Sequence, residues 1–160
     1  MVDLYAPGAK LDGAWEKVSR AMEETSRLLA SQGVTHLVFS VPQDLSLADS
    51  EQPKYFRDGA QGRALDFGAP YQRFAGTARE SVWLDLHPVF ARSYRPGLYF
   101  PRDPHWTPAG HRLAAESLLP CAKALIERAR AGQPPPTGAR CEDLAPSVPE
   151  DAKNANGDLD

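Results

Sequence analysis

Residues 34–41, Val-Thr-His-Leu-Val-Phe-Ser-Val, constrain the fold more than any other stretch of the chain. They are β-branched and aromatic, almost continuously apolar, and closed by Pro42. A strand with one wet face alternates between apolar and polar residues. One that is apolar nearly throughout is buried on both faces, as in a parallel sheet covered by helices. The preceding residues agree. Over residues 13–32, Trp15, Val18, Met22 and Leu29 make an apolar stripe at helical spacing, with Asp12 placed to cap its start and Gly33 its end. Helix, glycine and buried strand form an αβ unit, so the expected class is α/β.

The rest of the chain extends this pattern. Residues 42–61 are polar and without period, and read as a long loop. Pro70 sits where a helix near 70–79 would begin, residues 81–86 read as a second strand, and residues 87–92 as a short helical turn. Thr107 is an N-cap with Pro108 at the first helical position. Leu113, Ala114, Leu118, Ala122, Leu125, Ile126 and Ala129 then supply an apolar face to the end of a long helix, which Pro120 is expected to kink. Residues 1–5 read as the end of a further strand. Two or three strands are few beside a mean sheet of about five or six. The expectation is therefore an incomplete sheet, a part of something larger.

From Gln133-Pro134-Pro135-Pro136 onward, large apolar residues are scarce and no period survives. Such a segment buries too little surface to offset its ordering entropy, so 1–131 reads as the domain and 132–160 as a disordered Pro-rich tail. A net charge of -3 offers no general footprint for nucleic acid or an anionic membrane. The apolar runs are too short to span a bilayer, and residues 1–8 lack the basic and apolar regions of a signal peptide. The two cysteines fit no metal or redox spacing; Cys121 reads as a buried helix residue and Cys141 as a tail thiol.

The chemistry concentrates in Asp103-Pro104-His105-Trp106-Thr107-Pro108-Ala109-Gly110-His111. A carboxylate that orients an imidazole is the acid–base half of a serine-hydrolase triad. His105 is placed to take a hydroxyl proton and return one to a leaving group, while Asp103 fixes the ring's tautomer. Pro104 stiffens the link between them. Spacing alone leaves other readings open. Asp103 could merely turn the chain with Pro104 while His105 packs on the helix, and His111 could join the pair around a metal, although the spacing is not a zinc pattern. His36 and His87, in or beside strands, read as structural.

Residues 99–115 resemble the catalytic Asp/His block of SGNH hydrolases, the GDSL esterase and lipase superfamily. The order of a helix with an early Trp, a strand ending in Val41-Pro42, and the strand Trp83-Leu84-Asp85-Leu86-His87 is also similar. The resemblance implies a three-layer α/β/α, flavodoxin-like parallel sheet, present here incomplete. It also implies ester hydrolysis or O-acyl transfer without metal or organic cofactor. The family's usual spacing is Asp-x-x-His; Asp103-x-His105-Trp106 is closer to SGNH-like acetyltransferases and acetylesterases of bacterial exopolysaccharides. The implied substrate is therefore a small acyl ester or an O-acetylated carbohydrate, with Asp103 and His105 catalytic and Trp106 and Arg102 in contact with substrate.

The family's nucleophile block, Gly-Asp-Ser, does not occur in this sequence, and residues 1–153 contain no Asn for its Gly-x-Asn-Asp block. In the acetyltransferase subfamily the Ser follows the Asp/His block, where here a helix and the Pro-rich segment stand. Ser40, at the carboxyl end of a strand, is the best internal substitute, although Val41-Pro42 follows it rather than a tight glycine turn. Three expectations follow: an SGNH-type esterase or acyltransferase with its nucleophile unidentified, a non-catalytic carbohydrate- or ester-binding module that kept the cleft, or a fragment dependent on a missing N-terminal half.

Overall fold

The computed structural model describes residues 5, 11–47, 62, 64–77, 80–101 and 103–145. In chain order these form α1 (Asp12–Ser31), β1 (Leu37–Phe39), a single 3-10 turn (Asp44–Ser46), α2 (Ala69–Ala75), β2 (Val82–Leu84), α3 (His87–Arg92), α4 (Pro108–Arg130) and α5 (Cys141–Leu144). β1 and β2 pair in parallel, Leu37 with Val82, Val38 with Trp83 and Phe39 with Leu84. The α/β expectation holds, and among the described residues the sheet is small and open. Both strands are shorter than the apolar runs that announced them. Val34 and Val41, at the ends of the first run, are exposed.

α1 ends as its sequence dictates. Gly33 takes a left-handed φ of +71°, its N–H donates to Ala30 O at 3.0 Å, and Val34 N–H donates to Leu29 O at 2.9 Å. This is the double hydrogen bond of a Schellman stop, which a side chain at Gly33 would strain. The start differs from expectation. Asp12 lies inside the first turn rather than capping it, because its carboxylate is taken by Arg73 of α2, 2.6 Å away, instead of turning back to the helix amides. Its charge still favours the positive end of the helix dipole. α1 is tied to the sheet by a buried chain of hydroxyls. Ser26 Oγ lies 2.6 Å from Ser81 Oγ, which lies 2.8 Å from Nδ1 of His36.

The core is built from β2, α3, the loop after α3, and α4. Val82, Leu84, Leu86, Phe90, Leu98, Tyr99, Ala114, Cys121 and Leu125 are all buried in one cluster. α4 begins at Thr107 and Pro108 as expected, and runs through Pro120 to Arg130. Beyond it, residues 132–145 turn back onto the domain. Gly132 and Gly138 take positive φ, Trp83 N–H donates to Ala139 O at 3.0 Å, and Arg140 pairs in parallel with Trp83. β2 therefore lies between β1 and this returning segment.

Cys141 is accordingly not a tail thiol. It is buried and disulfide-bonded to Cys121, with Cα atoms 5.3 Å apart. The two cysteines lie at a sequence separation of 20, across helix end and loop, so the path of the return segment is what brings them together. The remainder of the expected tail, 146–160, lies outside the described residues. Among the described residues no helix is long and apolar enough to cross a membrane.

Candidate active site

The Asp103–His105 loop is a hairpin laid on the start of α4. Tyr99 and Trp106 pair antiparallel, Phe100 N–H donates to His105 O at 3.1 Å, and Thr107 N–H donates to Leu98 O at 3.0 Å. The sequence at its tip explains the reversal: Pro101 and Pro104 preset φ, and Asp103 N–H closes a turn onto Phe100 O at 3.1 Å. The base of the hairpin is pinned by Thr107, whose hydroxyl bonds the carbonyls of Gly97 and Leu98 and accepts the Gly110 N–H at 3.4 Å.

Gly110 is required by this close packing. A Cβ there would stand 2.4 Å from Leu98 O and 2.9 Å from Trp106 Cβ. The inward face of the hairpin is aromatic. Trp106 stacks on the fully buried Phe90, with ring centroids 4.9 Å apart, and His111 meets its edge. Tyr99 donates its hydroxyl to Pro42 O at 2.9 Å, linking the hairpin to the carboxyl end of β1. Burial pushes the Tyr99 hydroxyl above the usual tyrosine range, against the opposing pull of the Trp106 indole.

On this platform the two candidate residues meet. Oδ1 of Asp103 accepts the His105 amide N–H at 2.9 Å and bonds Nδ1 of the His105 ring. The amide N–H first, and the imidazole second, hold the Asp103 carboxyl below the usual carboxylate range. With Nδ1 engaged, the opposite ring nitrogen is the one left to exchange protons. The His105 side chain is 80% exposed, so no described residue seals that nitrogen from solvent. The pair stands apart from two grooves elsewhere on the molecule, one beside Trp15 and Arg73, the other between α4 and α5 beside Arg128 and Gln133.

The remaining sequence candidates divide. Trp106 is in the hairpin, next to His105, but its ring serves the inward stack. Arg102 lies outside the described residues. Ser40 is buried at the end of β1, where its hydroxyl donates to Asp85 Oδ1 at 2.8 Å and accepts the Leu86 N–H at 2.7 Å. Asp85 also accepts the His87 N–H at 2.9 Å, so this cluster fixes the start of α3. Among the described residues, the hydrogen bond of the His105 ring goes to Asp103 and none comes from a serine. His87 stacks on Tyr71, and His36 belongs to the Ser26–Ser81 chain, both in structural settings. Gly110 stands where the Thr107–Gly110 stretch joins the loop to the helix, whereas Phe100, exposed beside the turn, carried no sequence motif of its own. The signal for the hairpin was aromatic residues, Tyr99-Phe100 and Trp106, on the two sides of a Pro-containing turn.

A parallel α/β domain that presents a carboxylate-held imidazole just before its longest helix fits the SGNH hydrolase-like class. A family model described as "SGNH hydrolase-like domain, acetyltransferase AlgX" matches residues 5–153, and the chain belongs to that family. No curated protein and no solved structure matches it.

Proposed function

We propose that this chain carries the acid–base half of an acyl-transfer site, acting on a small acyl ester or an O-acetylated carbohydrate. The observation that carries the reading is the bond from Asp103 Oδ1 to Nδ1 of an otherwise open His105 ring. In this reading Nε2 of His105 takes the proton of an attacking hydroxyl as its oxygen bonds the acyl carbon. The proton then passes to the departing alkoxide as the ester bond breaks. Asp103 fixes the tautomer that leaves Nε2 free to accept, and stabilises the imidazolium formed between the two transfers. The family name supports acetyl as the acyl group. Ser40, whose hydroxyl is held by Asp85 and Leu86, would have to break both bonds to serve as nucleophile.

Turnover of p-nitrophenyl acetate by the wild type, His105→Ala and Asp103→Asn tests the proposal. The expected result is loss of most of the rate in His105→Ala and a smaller loss in Asp103→Asn. A rate unchanged in His105→Ala removes the enzymatic reading. Labelling with a fluorophosphonate, followed by mapping of the modified residue, asks separately whether Ser40 or another serine is activated. A second reading, a binding module that retained the surface without the chemistry, draws on the fact that no serine among the described residues bonds the imidazole. Ester binding that survives in His105→Ala, with no turnover in either protein, would favour it.

A further inference from the structure

We infer that Phe100 is the residue that selects a sugar ester, by receiving the C–H face of a pyranose ring beside His105. This deepens the acyl-transfer reading above and rests on it for the reacting bond. The register of the hairpin carries the inference. Tyr99 pairs with Trp106, and the Phe100 N–H donates to His105 O, so Phe100 and His105 stand opposite each other across the two arms of the hairpin, where it enters its turn. Opposed residues of an antiparallel pair send their side chains from the same face, with Cβ atoms about 4.5–5.5 Å apart. Tyr99 and Trp106, the neighbouring pair, leave from the other face and pack inward against Phe90. The strand period of two therefore fixes Phe100 on the face of the base and prevents it from joining the core.

Its exposure agrees. Phe100 is 48% exposed, whereas Leu98 and Tyr99 immediately before it are buried. A single exposed phenylalanine is ordinary on a protein surface. This one is held in place by a hairpin that is anchored at Thr107 and Gly110 and lies opposite the one imidazole that a carboxylate orients among the described residues. An aromatic face carries negative quadrupole potential and attracts weakly polarised C–H groups while shedding water. A pyranose offers such a C–H face, and its equatorial hydroxyls leave from the rim. A ring laid on Phe100 would point a rim ester at the neighbouring imidazole, whereas the acetate of a small alcohol would have no surface to lay there.

The test compares an O-acetyl hexopyranoside with ethyl acetate, using the full chain as wild type, Phe100→Ala and Phe100→Tyr. Phe100→Ala is expected to raise KM for the sugar ester about tenfold, the loss appropriate to one half-exposed ring, with a much smaller change for ethyl acetate. Phe100→Tyr is expected to restore the sugar-ester KM, since it keeps the face. Equal KM changes on both esters, or none on the sugar ester, would overturn the inference. Saturation-transfer NMR with the same hexopyranoside supplies a readout independent of turnover. The pyranose ring protons should be saturated by the wild type and by His105→Ala, and lose that saturation in Phe100→Ala. Absence of saturation in the wild type overturns the inference whatever the turnover. Saturation without turnover sustains it and counts against the acyl-transfer reading alone.

Discussion

Trp106 lies flat on Phe90, their ring planes 20° apart. Phe90 is wholly buried and belongs to the main core, so packing force reaches the residue next to His105 without an intervening flexible link. The imidazole is exposed, yet the next residue along the backbone, Trp106, packs against the buried core. Trp106→Ala should therefore cost stability as well as order. A cost of about 2–3 kcal/mol is expected, below the range for a fully buried tryptophan because Trp106 is only partly buried. Urea unfolding of the variant measures it. A midpoint equal to that of wild type would mean that the stack does not hold the hairpin.

Gly110→Ala should be unfavourable even though alanine is the better helix former. The new Cβ would meet the Leu98 carbonyl at 2.4 Å, a backbone atom that cannot swing aside. Overpacking of this kind costs about 1–3 kcal/mol and outweighs the gain in helix propensity of roughly 1 kcal/mol. Gly13 in α1 provides the comparison, since nothing lies within 4 Å of a Cβ there. Gly13→Ala should leave stability equal or raised. Thermal melts of the two variants that shift in the same direction would contradict the packing account.

What the sequence disclosed depended on how local each feature was. The stop at Gly33, the cap at Thr107 with Pro108, and the meeting of Asp103 with His105 are settled within a few residues, and all three were legible. The length of β1 was not. Pairing stops where its partner stops, and β2 ends at Leu84, so the apolar run from Val34 to Val41 overstated the strand. Ser40 looked available because its sequence neighbours say nothing of Asp85, which reaches it across the sheet. Cys141 looked free for the same reason. Its partner is fixed by the route of residues 131–140 over β2, and that route has no periodic signature. Composition recorded the prolines of that segment but not the glycine turns that fold it back.

The disulfide should matter more to stability than a bond near the end of the described chain suggests. It closes a loop across a sequence separation of 20 and holds Cys141 in the core beside Cys121. Chain-entropy reasoning assigns about 3 kcal/mol to a loop of this size. Cys141→Ser, or dithiothreitol treatment of the wild type, should lower the unfolding midpoint accordingly. Amide exchange should rise at Trp83, whose N–H is held by Ala139 O. A reduced protein with unchanged midpoint and unchanged Trp83 exchange would show that the return segment holds without the bond.

The pH dependence of the hairpin follows from Asp103. Its carboxyl is held below the ordinary value of 3.8, first by the His105 amide N–H and then by the imidazole. A carboxyl lowered in the folded state binds its proton more readily when unfolded. The associated stability is fully present above the unfolded value and is lost as pH falls through the lower, folded one. The hairpin should therefore keep its Asp103–His105 contact well into mild acid and loosen only below the ordinary carboxylate range. Carbon-detected NMR titration of the Asp103 carboxyl provides the measurement. In His105→Ala the midpoint should rise part of the way toward 3.8 but remain below it, because the backbone N–H at position 105 is the larger cause and survives the substitution. A wild-type midpoint at or above 3.8 would mean that the carboxylate does not grip residue 105 in solution.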